Sequence, residues 1–349
     1  MIYKPLQWLF RIVGIAPCNS ATDKYFIVLP VLASASFWVY EDFHRVHREG
    51  MIDTILRINT AAYCVAPLVF IIYNHCNRQV YTDILRHLAA ADSELGAQHD
   101  FRLQKIVFIL FVAFCSIKFV VSAVMTLRWN SFVQVRMLAS VLVLVPQLQH
   151  TVLVILLRHQ FSALNNLIAD ITADVDNTPQ HTVSSRLDFV FRLHTHLHVV
   201  VWDVNTHFCI YNLLSVLARL FYVLLRMYEY LLILSGGISP WNPLRLSVAT
   251  LNTISFIVQC LLCHAGAREA NRTALLCHRL LRPDTPVQLW EQVGIFSRLS
   301  LHNKVRFSVG GIFSLDRPFI AKMSTTALSY LIIAVQLTDV QPSNSTSGN

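Results

Sequence analysis

Apolar residues in this chain fall into seven long runs separated by shorter polar segments. A helix needs about 20 mostly apolar residues to cross the hydrocarbon core of a bilayer. The runs come close to that length, and none alternates apolar and polar residues as a membrane β-strand does. The pattern therefore predicts an all-α integral membrane protein with seven transmembrane helices, at residues 25–40, 58–74, 106–127, 132–157, 204–234, 245–266 and 317–338.

Two segments outside these runs keep the apolar spacing of helices. In 158–203 the apolar positions include Phe161, Leu164 and Ile168, and in 267–301 they include Leu289, Val293 and Phe296. We expect the two segments to pack together as a helical anchor domain beneath the membrane, with a helix at 286–301. The predicted organisation is a cytosolic segment 1–24, a six-helix bundle 25–266 that includes the extension 158–203, an anchor region 267–316, a seventh transmembrane helix 317–338 and an extracellular tail 339–349.

Composition supports the membrane assignment. Charged residues make up 14% of the chain and hydrophobic residues 54%, whereas soluble domains carry about 25% charged residues. The net charge of +8 comes from Lys and Arg scattered between the apolar runs, without the basic stripe that marks a nucleic-acid-binding protein. We therefore expect a lipid bilayer and no nucleic acid among the partners.

The distribution of Lys and Arg predicts the orientation. With the amino terminus in the cytosol, cytosolic segments hold seventeen Lys and Arg and the outer loops hold six. Positive residues favour the cytosolic side, so we expect a cytosolic amino terminus and an extracellular carboxyl terminus. G-protein-coupled receptors have the opposite orientation. The tail carries a glycosylation sequon at Asn344, and a second sequon at Asn271 lies in a predicted cytosolic segment and should stay unmodified.

Candidate chemistry is sparse. Cys260, Cys263 and His264 match a haem-attachment pattern, but they lie in an apolar helix, where buried cysteines are the ordinary interpretation. His194 and His198 share a helix face, as zinc ligands can, yet no Cys or Glu nearby completes a ligand set. A solvated or interhelical histidine face is therefore the interpretation that we favour. We find no catalytic motif, and we predict no metal, no cofactor and no enzymatic activity.

The final run carries a polar seam. Lys322, Thr326, Ser329, Ile333 and Gln336 are spaced by four, three, four and three residues, so they lie along one side of a helix. Polar side chains are costly in lipid, so the seam should face water or protein. It either lines a pore where several copies of the helix meet or is buried within one subunit. In a pore, Ile333 would form a hydrophobic constriction beside a ring of Gln336.

Other polar and aromatic residues cluster in the outer half of the predicted bundle. Aromatic groups beside polar ones suit a small-molecule pocket. An interfacial aromatic belt with Arg side chains reaching the headgroups is the alternative. The candidate pocket residues are Lys118, Trp129, Gln134, Arg219, Tyr222, Arg226, Tyr228, Glu229 and Asn252.

The carboxyl-terminal part of the chain resembles the insect gustatory receptor family. Residues 296–316, which include Gly311, Phe313 and Asp316, resemble the family's block before its last helix. Residues 329–337, from Ser329 and Tyr330 to Gln336 and Leu337, resemble its signature, with Ser for Thr at the start and Leu for Phe at the end. Residues 5–17 are similar to the family's amino-terminal segment.

This resemblance implies a ligand-gated cation channel, a homo- or heterotetramer with other subunits of the family in the plasma membrane of sensory neurons. The last helix would line the central pore, with the gate region at Ile333, Gln336 and Leu337. The outer bundle would bind a small-molecule tastant. Leu331 stands where sugar-responsive members have an acidic residue, which favours a bitter or unidentified tastant. The alternatives are a multi-pass transporter and a non-conducting subunit or co-receptor.

Overall fold

The computed structural model of the chain describes residues 69, 72–74, 77–95, 113, 116, 120, 131–174, 179–234, 243–281, 283 and 286–339. The predicted span 25–40 and most of the spans 58–74 and 106–127 lie outside the described residues. So do the amino-terminal segment 1–24 and the tail beyond Asp339, with Asn344.

The described part of the chain is helical apart from one small hairpin, which confirms the predicted all-α class. A strand β1, Ser308–Val309, pairs antiparallel with β2, Phe313–Ser314. The helices, in chain order, are α1 Arg78–Glu94, α2 Ser131–Ala173, α3 Gln180–His207, α4 Cys209–Leu234, α5 Pro243–His278, α6 Val287–His302 and α7 Arg317–Asp339.

Two helices are much longer than the apolar runs that predicted them. α2 has 43 residues and α5 has 36. At 1.5 Å per residue, α2 is about 65 Å long, roughly twice the thickness of a hydrocarbon core. The predicted spans 132–157 and 245–266 therefore continue without a break into the segments expected beneath the membrane.

Three segments of the described chain have the length and apolar composition of a membrane span. Pro146–Ala173 and Thr250–His278 qualify alone, and α3 qualifies together with the first part of α4. The chain bends by 54° between α3 and α4, where Phe208 interrupts the helix. The predicted span 204–234 thus begins just before a bend instead of running straight.

The hydrophobic core is continuous along α2 and α5. α3 and α6 pack onto this pair, and α1 packs against α3. The ring of Phe191 on α3 stacks on Phe296 of α6 with centroids 4.1 Å apart. The segments 158–203 and 267–301 therefore contact each other, as their apolar spacing predicted.

The predicted histidine pair does not form a shared ligand site. His194 is buried, its Nε2 lies 3.3 Å from the carbonyl oxygen of Ala270, and its ring meets Phe161 and Phe296 edge-on. Within the described ranges, no three His, Cys, Asp or Glu side chains are placed to hold a metal ion.

Candidate functional site: the last helix and the polar layer of the bundle

Helix α7 is attached to the rest of the subunit through one face. Ala327 is buried, and Phe319 and Met323, each four residues earlier than the next, are half-buried against the core. The Phe319 ring stacks on Phe313 at 4.6 Å and meets Phe256 of α5 edge-on at 6.3 Å. The face therefore packs against the hairpin and against α4 and α5.

The polar seam lies away from that face. All five seam residues are exposed in the single chain, as is Tyr330 of the signature. At 100° per residue, the five seam residues lie about 100–180° around the helix from the buried Ala327. A seam buried within one subunit therefore does not describe α7. The five seam residues are Lys322, Thr326, Ser329, Ile333 and Gln336. The side chain of Leu337, which ends the signature, is not described.

A tight hairpin, absent from the sequence prediction, leads into α7. Gly310 and Gly311 have φ angles of 56° and 74°, a region that suits glycine and disfavours other residues. A Cβ on Gly310 would lie 2.6 Å from the Sγ of Cys209. At the end of the hairpin, the Oδ1 of Asp316 accepts a hydrogen bond from the Phe319 amide at 2.9 Å and so caps α7.

Two asparagines hold the chain that enters the hairpin. Asn205 of α3 donates from Nδ2 to the Arg306 carbonyl at 2.8 Å and accepts at Oδ1 from the Ser308 amide at 3.1 Å. Asn271 of α5 does the same with the carbonyl and amide of Val305, at 2.9 and 3.0 Å. Each amide side chain thus pairs with a backbone carbonyl and a backbone amide, as a neighbouring strand would. The position of α7 is thereby tied to α3 and α5.

A buried polar layer links α2, α4 and α5. Arg219 of α4 donates from Nη2 to the Oε1 of Gln147 at 2.7 Å, and Gln147 donates from Nε2 to the Ser255 carbonyl at 3.0 Å. The guanidinium carbon lies 4.9 Å from the centroid of the Phe256 ring. Below this layer, Gln259 of α5 lies within hydrogen-bond distance of groups on α2 and α4, at 3.0 Å from His150 and 3.4 Å from Asn212.

Three predicted pocket residues belong to this layer or border it. Arg219, Tyr222 and Asn252 are all buried, and the hydroxyl of Ser255 donates to the Asn252 carbonyl at 2.8 Å. Burial of Arg219 argues against the alternative in which it reaches the headgroups. Lys118 and Trp129 lie outside the described residues. Gln134, Arg226, Tyr228 and Glu229 lie in described helices, but their side chains are not described.

Sequence reasoning missed Gln147 in this layer and the three residues below it, His150, Asn212 and Gln259. A signal was present, because polar residues in the middle of an apolar run are expensive in a membrane and tend to be functional or paired. Gln147 and His150 interrupt such a run beside Pro146. The prediction concentrated on the outer half of the bundle and passed over polar residues further along the spans.

With this geometry established, the chain can be compared with known proteins. The model of the family described as "7tm Chemosensory receptor" matches residues 5–340. The chain belongs to the 7tm chemosensory receptor family. This is a family of multi-pass membrane receptors, which agrees with the expectation of a receptor and not an enzyme.

A curated relative supports the gustatory side of the resemblance. A stretch of 77 residues is 30% identical to the Drosophila melanogaster protein named "Putative gustatory receptor 28b". The match covers 22% of this receptor and 16% of the Drosophila protein, so it spans a small part of that relative's length.

Solved structures share the receptor's fold over almost its full length. The olfactory receptor OR5 of the insect Machilis hrabei superposes with a TM-score of 0.70, covering 96% of this chain and 99% of that one. The same receptor in complex with eugenol gives a TM-score of 0.74, covering 96% and 97%. Sequence identity is 12% in both, so the likeness concerns the fold alone.

The hairpin predicts opposite effects for two glycine substitutions. Gly310→Ala should destabilise the receptor by about 1–3 kcal/mol, since it combines an unfavourable φ with a clash against Cys209. Gly294→Ala is the matched control, because it lies in α6 with nothing within 4 Å of the added Cβ. It should be neutral or stabilise the receptor by up to about 1 kcal/mol. Thermal unfolding in detergent measures both, and equal effects would contradict the hairpin geometry.

Proposed function

We propose that this receptor is a subunit of a ligand-gated, non-selective cation channel, opened by a small-molecule tastant bound in the outer transmembrane bundle. The observation that carries the proposal is the exposed polar seam of α7. Lys322, Thr326, Ser329 and Gln336 are costly to expose to lipid, yet all four are exposed in the single chain and lie about 100–180° around the helix from the buried Ala327. Several copies of α7 meeting at an axis would give this seam water and polar neighbours.

The proposed assembly is a homo- or heterotetramer with other gustatory receptor subunits, with one central pore. Ile333 supplies the hydrophobic constriction, and Gln336 and Leu337 lie beside it. A hydrophobic ring closes a pore by excluding water. The hairpin and the hydrogen bonds of Asn205 and Asn271 offer a path by which the helices beneath the membrane would hold α7 in position.

The proposed ligand is a bitter or unidentified tastant in preference to a sugar, because Leu331 occupies the position that is acidic in sugar-responsive members. The proposed setting is the plasma membrane of sensory neurons, at the dendrite. In this setting the amino terminus is cytosolic and the carboxyl terminus extracellular, as the excess of Lys and Arg in the predicted cytosolic segments indicates.

Substitutions at two adjacent isoleucines test the pore. Ile333→Ser should raise ligand-independent current severalfold, because the closed constriction loses its hydrophobic wall. Ile332→Ser is the control, since Ile332 points about 100° away around the helix. The two side chains are equally exposed in the single chain, at 49% and 50%, so a difference in leak reports the direction of the pore axis. Whole-cell current at matched surface expression is the measurement.

Gln336→Arg complements this pair. A ring of positive charges repels permeant cations, and the ligand-evoked current should fall by about tenfold or more. Equal leak from the two serine variants, together with normal current from Gln336→Arg, would mean that α7 lines no pore. The receptor would then be a transporter or a non-conducting subunit.

Glycosylation tests the orientation. Asn344 in the tail should accept a glycan, whereas Asn271 should not, because only the tail enters the lumen during synthesis. The structure adds a second reason, since the Asn271 amide donates to the carbonyls of Ala267 and Val305 at 2.7 and 2.9 Å. A glycosidase-sensitive mobility shift should disappear in Asn344→Gln and persist in Asn271→Gln. The reverse result would invert the topology and remove the channel proposal.

A further inference from the structure

Arg219 is a buried cation with unused hydrogen-bonding capacity. Arg219 is only 4% exposed. Among the described residues, its guanidinium donates one hydrogen bond, from Nη2 to the Oε1 of Gln147. The Nε and Nη1 atoms have no hydrogen-bond partner. No carboxylate of the described residues pairs with it. A buried charge without a counter-ion is strongly unfavourable, so this arrangement points to a partner that the protein does not itself supply.

The sequence shows that the bundle lacks acidic groups in general. Among the seven predicted spans, Glu229 is the one acidic residue. It stands ten residues beyond Arg219 on α4, about 15 Å along the axis, too far for a direct ion pair. Glu229 is three residues from Arg226, which is the spacing of an ion pair on a helix. No other acidic residue of the predicted spans is then left to pair with Arg219.

Other groups near Arg219 are also hydrogen-bond donors or can act as donors. The Nδ2 of Asn212 lacks a partner and so does the Nε2 of His150, and both residues belong to the layer below. The Nε2 of Gln147 donates to the Ser255 carbonyl. This bond orients the amide so that its Oε1 accepts from Arg219. The unpartnered atoms of Arg219, Asn212 and His150 are thus donors or can donate, which suits a ligand that brings acceptors.

One face of the guanidinium contacts an aromatic ring. Its face lies over the Phe256 ring, and Tyr222, one turn further along α4, is buried. Charge-assisted hydrogen bonds are stronger than neutral ones, and a low local dielectric strengthens them further. A ligand with an anionic end and an apolar body would satisfy both features.

We infer that the ligand of this receptor's transmembrane bundle carries an anionic group, of which a carboxylate is the simplest, and that this group pairs with Arg219. The inference rests on the proposed function as a small-molecule receptor and specifies the chemical class of its ligand. The competing interpretation is that Arg219 only ties α4 to α2 through Gln147. That role requires a donor at position 219 but gives no preference for charged ligands.

The test compares acids with their neutral amides on the purified full-length receptor. Hydrocinnamate with hydrocinnamide, and hexanoate with hexanamide, differ at one group and keep the same apolar body. At neutral pH each acid should stabilise the wild-type receptor against thermal unfolding at concentrations about tenfold or more below those its amide needs. The same preference should appear in agonist potency measured as whole-cell current.

Three variants identify the group responsible. Arg219→Gln keeps a donor for Gln147 but loses the charge, and it should reduce the preference for acids to about twofold or less. Arg219→Lys keeps the charge and should retain a preference for acids even where Arg219→Gln fails to fold. Arg268→Gln, which removes an exposed arginine of α5 beyond the predicted span, is the matched control and should bind as the wild type does.

The possible outcomes separate this inference from the channel proposal. Equal stabilisation by acid and amide, no stabilisation by either acid, or an acid preference that survives in Arg219→Gln would overturn the inference. Current evoked by neutral compounds without any acid preference leaves the channel proposal standing and removes this one. Acid-selective stabilisation of a receptor that passes no current supports the inference and removes the channel.

Discussion

The constraint behind this structure is that hydrocarbon offers no hydrogen-bond partners. Backbone amides within the bilayer must be satisfied inside a helix, which is why the described spans are long helices. Polar side chains face the same limit and must find partners on neighbouring helices. The chain of bonds from Arg219 through Gln147 to the Ser255 carbonyl is such a solution, and it joins three helices in one layer.

The same constraint explains the division of α7 into two faces. Phe319, Met323 and Ala327 satisfy it by packing against the subunit. The remaining surface of α7, which the rest of the chain leaves uncovered, carries the hydroxyl, amide and amine groups of the seam beside exposed apolar residues such as Ile332. A helix that is packed on one side and uncovered on the other is suited to contacts with a further copy or partner. The hairpin before it keeps that orientation, because Asn205 and Asn271 bind its backbone directly.

Elements with a strong local pattern were predictable. The seam of α7 was visible as a spacing of three and four residues, and α6 at Val287–His302 agrees closely with the predicted helix 286–301. The pocket was predictable only in part. Arg219 stood out because a charge in an apolar run is conspicuous, whereas Gln147 gains its role only when the Ser255 carbonyl of α5 lies 3.0 Å from it.

By itself, the sequence determined the helical class, the membrane setting and the faces of individual helices, since all three follow from composition and from periods of a few residues. The tertiary structure decided which faces meet. It buried His194 against the Ala270 carbonyl and made a hairpin of Gly310 and Gly311. These outcomes depend on contacts between residues far apart in the chain. The spacing of apolar residues along one helix does not specify which distant helix packs against it.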